Sequence, residues 1–467
     1  MQKHKLNKLI IFFIFYILSL FIFKVCIYNI MPLLSIFNDL YLIAIFIFII
    51  LIVIIKYYLE YKIFDIFSPW ISFPLLYFAV YGIGAIRWIY EGYYPVDKMV
   101  IIAIGGIIFY YLGSLVKLRG WKIDKYNEWN SSEAYLLTVF ILFISVTGFI
   151  LFIINAGTVP LFLPDKLESR ISLMDKGGHY LIYLARLSSF SFIITLVMYL
   201  VNRRRNVFRV IIGNRIINYK LYLLLTFSLS FLIMISTACR TDIFFIFIFP
   251  LIIYYYYKDD YNNVHKYLIL LCILFIGLFV FGYYRLYGGN DEALNYLAQK
   301  ADSPFKMLIR YIQIQIAVYS GNFGIILTSV PDIIPYMHGK CILTTLSTIL
   351  PGKQLDVGEY IKYALKMNFK GGGINPTILG ELYLDNGLVE IMIGMFIYGI
   401  IVSNAYRHMM EKKSTSSIII YSYLCYVLLI GTLGGILSQL ARWYYGFWVL
   451  AICFLLNKRI LYKIVSE

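Results

Sequence analysis

Tyr135-Leu136-Leu137-Thr138-Val139-Phe140-Ile141-Leu142-Phe143-Ile144-Ser145-Val146-Thr147-Gly148-Phe149-Ile150-Leu151-Phe152-Ile153-Ile154 is a run of twenty residues with no charge and no proline. As a helix it rises about 30 Å, the thickness of a bilayer's hydrocarbon core. Its apolar positions are continuous rather than alternating, which excludes a strand of a membrane β-barrel. Backbone amides have no water partner in lipid, and a helix satisfies them internally. The runs 9–23, 41–55, 221–236 and 267–284 repeat the pattern. The chain of 467 residues is 61% hydrophobic and 14% charged, more apolar surface than one soluble core can hold. The expectation is an all-α polytopic membrane protein with about twelve transmembrane helices.

The net charge of +16 raises the question of nucleic acid, but its distribution argues against that partner. Basic residues gather in short loops on alternate sides: Lys3, Lys5 and Lys8; Lys117 to Lys125; Arg203 to Arg215; Arg407, Lys412 and Lys413; Lys458, Arg459 and Lys463. Loops of this kind face the cytoplasm. Both termini are therefore expected inside a cell membrane, and the first span, which lacks a small-residue cleavage site, reads as a retained helix. The six cysteines are scattered, and neither they nor the five histidines show metal-ligand spacing. No metal, disulfide framework or cofactor is expected.

Spans are expected near 8–27, 38–56, 65–87, 98–116, 133–155, 179–201, 220–239, 242–257, 267–284, 378–405, 416–433 and 439–457. They form one transmembrane domain, 1–467, with a large external loop at 285–376. Inside that loop, 305–327 is apolar but carries Lys306, Arg310, Gln313, Gln315 and Asn322, which suits an interfacial or re-entrant helix pair better than a further crossing. Pro351 to Gly373 reads as a lid that leads into a glycine-rich turn at 371–373.

Five arginines fall at or just within the external face: Arg170, Arg186, Arg240, Arg285 and Arg442. Guanidinium groups converging there suit a phosphate or diphosphate, because the planar fork bonds two oxygens at once. Each alone is as well explained by a salt bridge or an interfacial anchor. Arg186 lies inside its helix, where an unpaired charge is costly, and Arg240 has Asp242 nearby to neutralise it. Glu381 follows the glycine turn, with Asp385 four residues on, so that both can share a helix face. A carboxylate beside apolar helix suits a general base, and a partner for one of the arginines is the equal alternative. Tyr383 and Asn386 are candidate ligand contacts.

Three places resemble the oligosaccharide repeat-unit polymerases, the Wzy or O-antigen polymerase family. One is Gly157-Thr158-Val159-Pro160-Leu161-Phe162 with Arg170 downstream. The second is Thr237-Ala238-Cys239-Arg240-Thr241. The third, Pro376-Thr377-Ile378-Leu379-Gly380-Glu381-Leu382-Tyr383-Leu384-Asp385-Asn386-Gly387, is similar to the family's Pro-Thr-x-x-Gly-Glu-x-Tyr-x-Asn-Phe-Gly. It departs at Asp385-Asn386. Leu181 stands eleven residues after Arg170, so the paired Arg-x10-Gly loops of some members are absent.

The resemblance implies a GT-C-like glycosyltransferase architecture and glycosyl transfer on the outer face. A chain leaves its polyprenyl-diphosphate carrier and joins a hydroxyl of an incoming lipid-linked repeat unit. It implies Arg240 and Glu381 as catalytic residues, and Arg170, Arg186, Arg285, Arg442, Tyr383 and Asn386 as contacts for diphosphate or sugar. It implies polyprenyl-diphosphate-linked oligosaccharides, a flippase and a chain-length regulator as partners, and no metal. The rival readings are an O-antigen ligase-like enzyme and a lipid-linked oligosaccharide flippase. His338-Gly339 lacks the spaced glycines of the ligases, and one dominant loop without two similar halves disfavours a flippase.

Overall fold

The computed structural model describes residues 35–118, 129, 131–163, 173, 178–204, 209–212, 215–259, 263–286, 303–350, 356–368 and 373–457. Among them, ten helices are long and apolar enough to cross a bilayer, and Leu440–Leu455 adds a shorter apolar helix. They follow the expected order. The first expected span, 8–27, lies outside the described residues.

The spans begin with α1 (Ser35–Tyr61). The second combines α2 (Ser72–Phe78), a π turn (Ala79–Ile83) and α3 (Gly84–Glu91). Next come α4 (Val96–Leu115), α5 (Ser131–Ala156), then α6 (His179–Arg186) continued by α7 (Ser188–Arg204). A two-stranded antiparallel hairpin, β1 (Arg209–Ile212) and β2 (Arg215–Asn218), follows. It is a small addition to an otherwise helical chain, built from Val/Ile-rich segments on either side of Gly213-Asn214 in the sequence. The remaining spans are α8 (Tyr219–Ser236), α9 (Arg240–Lys258) and α10 (Val264–Leu286). The loop carries α11 (Pro304–Ser329), α12 (Lys340–Ser347) and α13 (Val357–Ala364). The chain ends with α14 (Thr377–Lys412), α15 (Thr415–Gly434) and α16 (Leu440–Leu455).

Alternation of the spans gives the bundle two ends. One carries the loop helices α11 to α13 together with the α3–α4, α5–α6, α8–α9 and α15–α16 junctions. The other, the basic end, carries Lys62, Lys117, Arg203, Lys258, Lys412 and Lys413. At the basic end Asp65 is fully buried and accepts hydrogen bonds from Tyr256 and Tyr406 hydroxyls and the Phe67 amide.

The sequence suggests one unbroken helix from 378 to 405, but the chain folds back inside it. Asn386 (φ −147°, ψ 30°) and Gly387 (φ 66°, ψ −142°) leave helical geometry. The Gly387 conformation is one that a side chain opposes. In a straight helix Leu382 and Gly394 would stand about 18 Å apart. Instead the Leu382 Cδ2 lies 2.5 Å from where a Cβ on Gly394 would sit. Residues 377–385 therefore form a short buried helix packed on the following span, 388–412. Its C-terminal carbonyls, Leu384 and Asp385, accept the Met337 and His338 amides. The short helix runs back into the bundle: Leu379 packs at Gly106, midway along α4. Asn375 and Pro376, just before it, are carried below the mouth of the bundle.

In the loop, α11 is not among the helices long and apolar enough to cross. It lies over the loop-end portions of α10, the π turn, α3 and α14. Trp88 donates its indole N–H to Ala317 O (2.9 Å) and Ser320 Oγ (3.1 Å), and Asn322 donates to Asn375 O (3.0 Å). The expected lid falls partly outside the described residues. Its described part, α13, is packed in place by the buried Val357 and Ile361. Ile374 N donates to Gly358 O at 3.0 Å.

Candidate active site

Beneath α11 five helices, α2, α9, α10, α15 and α16, line a cavity of about 310 Å³ together with the π turn and the Asn375 turn. That is the size of small-ligand sites in proteins. Its walls are apolar: Leu76, Val80, Phe244, Phe275, Phe279 and Leu433. Its polar rim is Arg240, Arg442, Asn375, Gln439, Thr241 and Tyr319. Two guanidinium groups thus meet in one chamber, and no described carboxylate lines it.

Arg240 is the first residue of α9, set there by a tight reversal in which Ala238 takes φ 52°. Its Nη1 donates to Gln315 Oε1 (2.9 Å) and, at 3.3 Å, to the Tyr311 hydroxyl on α11. Both partners are neutral, so among the described residues the positive charge is oriented without being paired to a carboxylate. Asp242, two residues along, points elsewhere. Residues two apart on a helix do not face each other, and Asp242 is taken up by Arg186: Nη2 to Oδ2 is 3.0 Å and Nε to Oδ2 is 3.1 Å. Tyr445 donates to Asp242 Oδ1 (3.1 Å) and Thr237 to Oδ2 (3.2 Å). Arg186 is therefore held in a buried, hydrogen-bonded ion pair and does not line the cavity.

Arg442, in the first turn of α16, is 6% exposed. Its Nη2 donates to Ile430 O (3.1 Å), whereas Nε and Nη1 have no hydrogen-bond partner among the described residues. Unpaired donors on a buried cation are expensive. A buried guanidinium with unpartnered donors beside a cavity is a candidate functional group.

What places Arg442 is Glu381. The turn between α15 and α16 aims successive amides at the Glu381 carboxylate. Ile436 N donates to Oε1 (2.6 Å); Leu437 N (2.8 Å), Ser438 N (3.0 Å) and Ser438 Oγ (3.1 Å) donate to Oε2. Such an arc of amides is an anion cradle, here filled by the protein's own side chain. Gly435 opens it at φ 74°, and a Cβ there would stand 2.5 Å from Glu381 Oε2. Glu381 is fully buried, and through this turn it fixes the start of α16, which carries Arg442. A second tie, from Gln439 Nε2 to Asn375 Oδ1 (3.2 Å), joins the same turn to the start of the folded-back helix.

The other sequence candidates fall elsewhere. Arg170 and the side chain of Arg285 lie outside the described residues. Tyr383 is buried beside Tyr336, ring centroids 6.3 Å apart. Asn386 sits at the tip of the folded-back hairpin, its Oδ1 2.8 Å from His338 Nδ1, and donates to Glu390 Oε2 at 3.2 Å. Asp385 accepts the Cys341 amide (3.2 Å) at the start of α12. Among the described residues no group of His, Cys, Asp and Glu is placed to hold a metal ion. The sequence marks Gln315 only as a polar break in an apolar run and does not single out Asn375, Gln439 or Tyr319 as site residues. A signal for the fold-back was present: Asp385-Asn386-Gly387 is a strong turn sequence.

A family model described as "Putative O-antigen polymerase" matches residues 4–445, nearly the whole chain. The chain belongs to the O-antigen polymerase family. No curated protein and no solved structure matches it. As an O-antigen polymerase it is a multi-pass membrane protein of surface-polysaccharide biosynthesis, a polymerising enzyme whose partners are lipid-linked oligosaccharides and the bilayer.

Proposed function

We propose that this chain is an outer-face glycosyltransferase that joins repeat units carried on polyprenyl diphosphate. The observation carrying the proposal is the convergence of Arg240 and Arg442, without a carboxylate, on one apolar-walled cavity. A diphosphate esterified at both ends carries two negative charges, which two guanidinium groups balance. In the reaction a hydroxyl oxygen of the incoming unit forms a bond to the anomeric carbon of the growing chain. The bond from that carbon to the diphosphate oxygen breaks, its electron pair stays with the diphosphate, and the hydroxyl proton passes to water. Charge accumulates on the leaving group, so donors fixed in advance around it lower the barrier. About 310 Å³ holds a diphosphate and its nearest atoms rather than an oligosaccharide, so the sugars extend toward α11 to α13.

In this reading the loop end is external and the basic end cytoplasmic, in keeping with the charge distribution. Glu381 acts as a positioning residue, because its two oxygens already accept four hydrogen bonds. Arg186 supports the site from behind through Asp242. Cells lacking the gene and supplied with Arg442→Gln test the assignment. Single repeat units on the surface with no long polymer, at normal membrane levels of the variant, are expected. Polymer of normal length would discard it.

A further inference from the structure

We infer that the isoprenoid tail of the substrate leaves the cavity through a side opening between α10 and α2, below α11. This rests on the proposed diphosphate site and adds to it the path of the lipid.

The opening follows from how the walls are held. On one side α10 packs on α9, with Phe244 and Phe275 rings 5.7 Å apart, and on α11, with Tyr283 and Tyr311 rings 5.8 Å apart. On the other, α2 packs on α1 and α15. Neither α10 nor α2 packs extensively on the other, yet both spans line the cavity, one through Phe275 and Phe279, the other through Leu76 and, in the π turn, Ala79 and Val80. Above them α11 bridges the gap. Its Tyr311 lies beside Gly282 on α10, and its Ile316 and Ser320 lie against Gly84 at the start of α3. Among the described residues the result is a roofed slot with exposed apolar side chains at its outer end.

The chemistry along the slot is graded. Inside are Arg240 and Arg442; at the threshold are Phe275, Phe279, Leu76 and Val80. Just outside, Ile273, Ile276 and Val280 on α10 and Leu75 and Ile83 on the facing span are exposed by 45% to 60%. A ligand matching that gradient has an anionic head and a long hydrocarbon tail. The π turn Ala79–Ile83 stands at the threshold itself. Extra residues of this kind occur where a helix is reshaped for a ligand. Here the π turn brings Ala79 and Val80 onto the cavity wall. An isoprenoid carrier fits because its tail remains in the bilayer while the diphosphate is held.

The test uses two probes without sugar, geranyl diphosphate and a fifty-five-carbon polyprenyl diphosphate, binding to the purified full-length protein in nanodiscs. Leu75→Trp and, from the opposite side, Ile276→Trp narrow the outer end of the slot; neither residue lines the cavity. Expected are at least roughly tenfold weaker binding of the long-chain probe in one of these variants and geranyl diphosphate binding within about twofold of wild type. Equal effects on both probes, or none on either in both variants, would overturn the tail path and leave the diphosphate site standing. Failure of wild type to bind either probe would overturn both. Displacement of the long-chain probe by an equal amount of phosphatidylglycerol would show a site for anionic phospholipid instead, and would also overturn the inference.

Discussion

Ser438 donates both its backbone N–H and its hydroxyl to one oxygen of Glu381, at 3.0 and 3.1 Å. Through that bond a helix that dips into the membrane is fastened to the turn that carries Arg442. The position of Arg442 in the proposed anion site thus depends on two chain segments more than fifty residues apart, joined by a carboxylate that need not touch substrate.

Replacing Glu381 tests this directly. Glu381→Ala leaves three amides, one buried and two partly buried, without their acceptor, at a cost of about 1–3 kcal/mol for a fully buried one. Glu381→Ala is expected to lose polymer and to lower the unfolding temperature of the purified protein. Gly435→Ala should reproduce the loss with Glu381 intact, because the added methyl meets Glu381 Oε2 at a backbone angle that opposes it. Normal stability and polymer in Gly435→Ala would contradict the latch.

Arginine and lysine should not be interchangeable in the cavity. Arg240 donates to two partners on α11 from one nitrogen, and a lysine cannot both do this and present a planar fork to a diphosphate. Arg240→Lys is expected to lower turnover by about 10²–10³, the range seen when one preorganised donor is removed. The check is polymer yield per membrane-embedded protein; full activity would remove Arg240 from the site.

Arg186 and Asp242 should behave as a pair. Breaking a buried ion pair from one side costs about 3–5 kcal/mol, whereas replacing both charges is far milder. Arg186→Met is expected to reduce protein in the membrane, and Arg186→Met with Asp242→Asn to restore it together with part of the polymer. Loss of polymer at full protein level in Arg186→Met would indicate a direct contact with substrate.

Burial raises the Asp65 carboxyl to about 6, against the pull of its tyrosine and amide donors. The folded state then holds this proton where the unfolded chain has released it, so this group makes stability fall as pH rises from about 4 to about 6. Asp65→Asn should flatten that part of the thermal-stability profile in detergent. An unchanged slope would show that Asp65 does not titrate there.

The membrane architecture was readable because lipid imposes a simple demand. Each described span occupies a run such as 135–154 that is long enough and apolar enough to satisfy its own backbone. The fold-back at Asn386-Gly387 was hidden because both arms are apolar, and hydropathy does not distinguish a dip from a crossing. Proximity on the chain also misled: Asp242 was expected to neutralise Arg240, but helix geometry turns it toward Arg186. Glu381 stood out as a carboxylate in an apolar setting, yet its partners are amides of residues 436–438. Backbone donors leave no trace in residue identity. The gathering of Arg240 and Arg442 depends on tertiary packing that spacing alone does not encode.

The most direct measurement is a double-mutant cycle on geranyl diphosphate binding with Arg240→Gln, Arg442→Gln and both together. If the two guanidinium groups hold one diphosphate, each single change weakens binding, and the double change departs from their sum by about 0.5–3 kcal/mol. Strictly additive effects, or wild-type affinity in either single variant, would mean that the two arginines do not share a ligand.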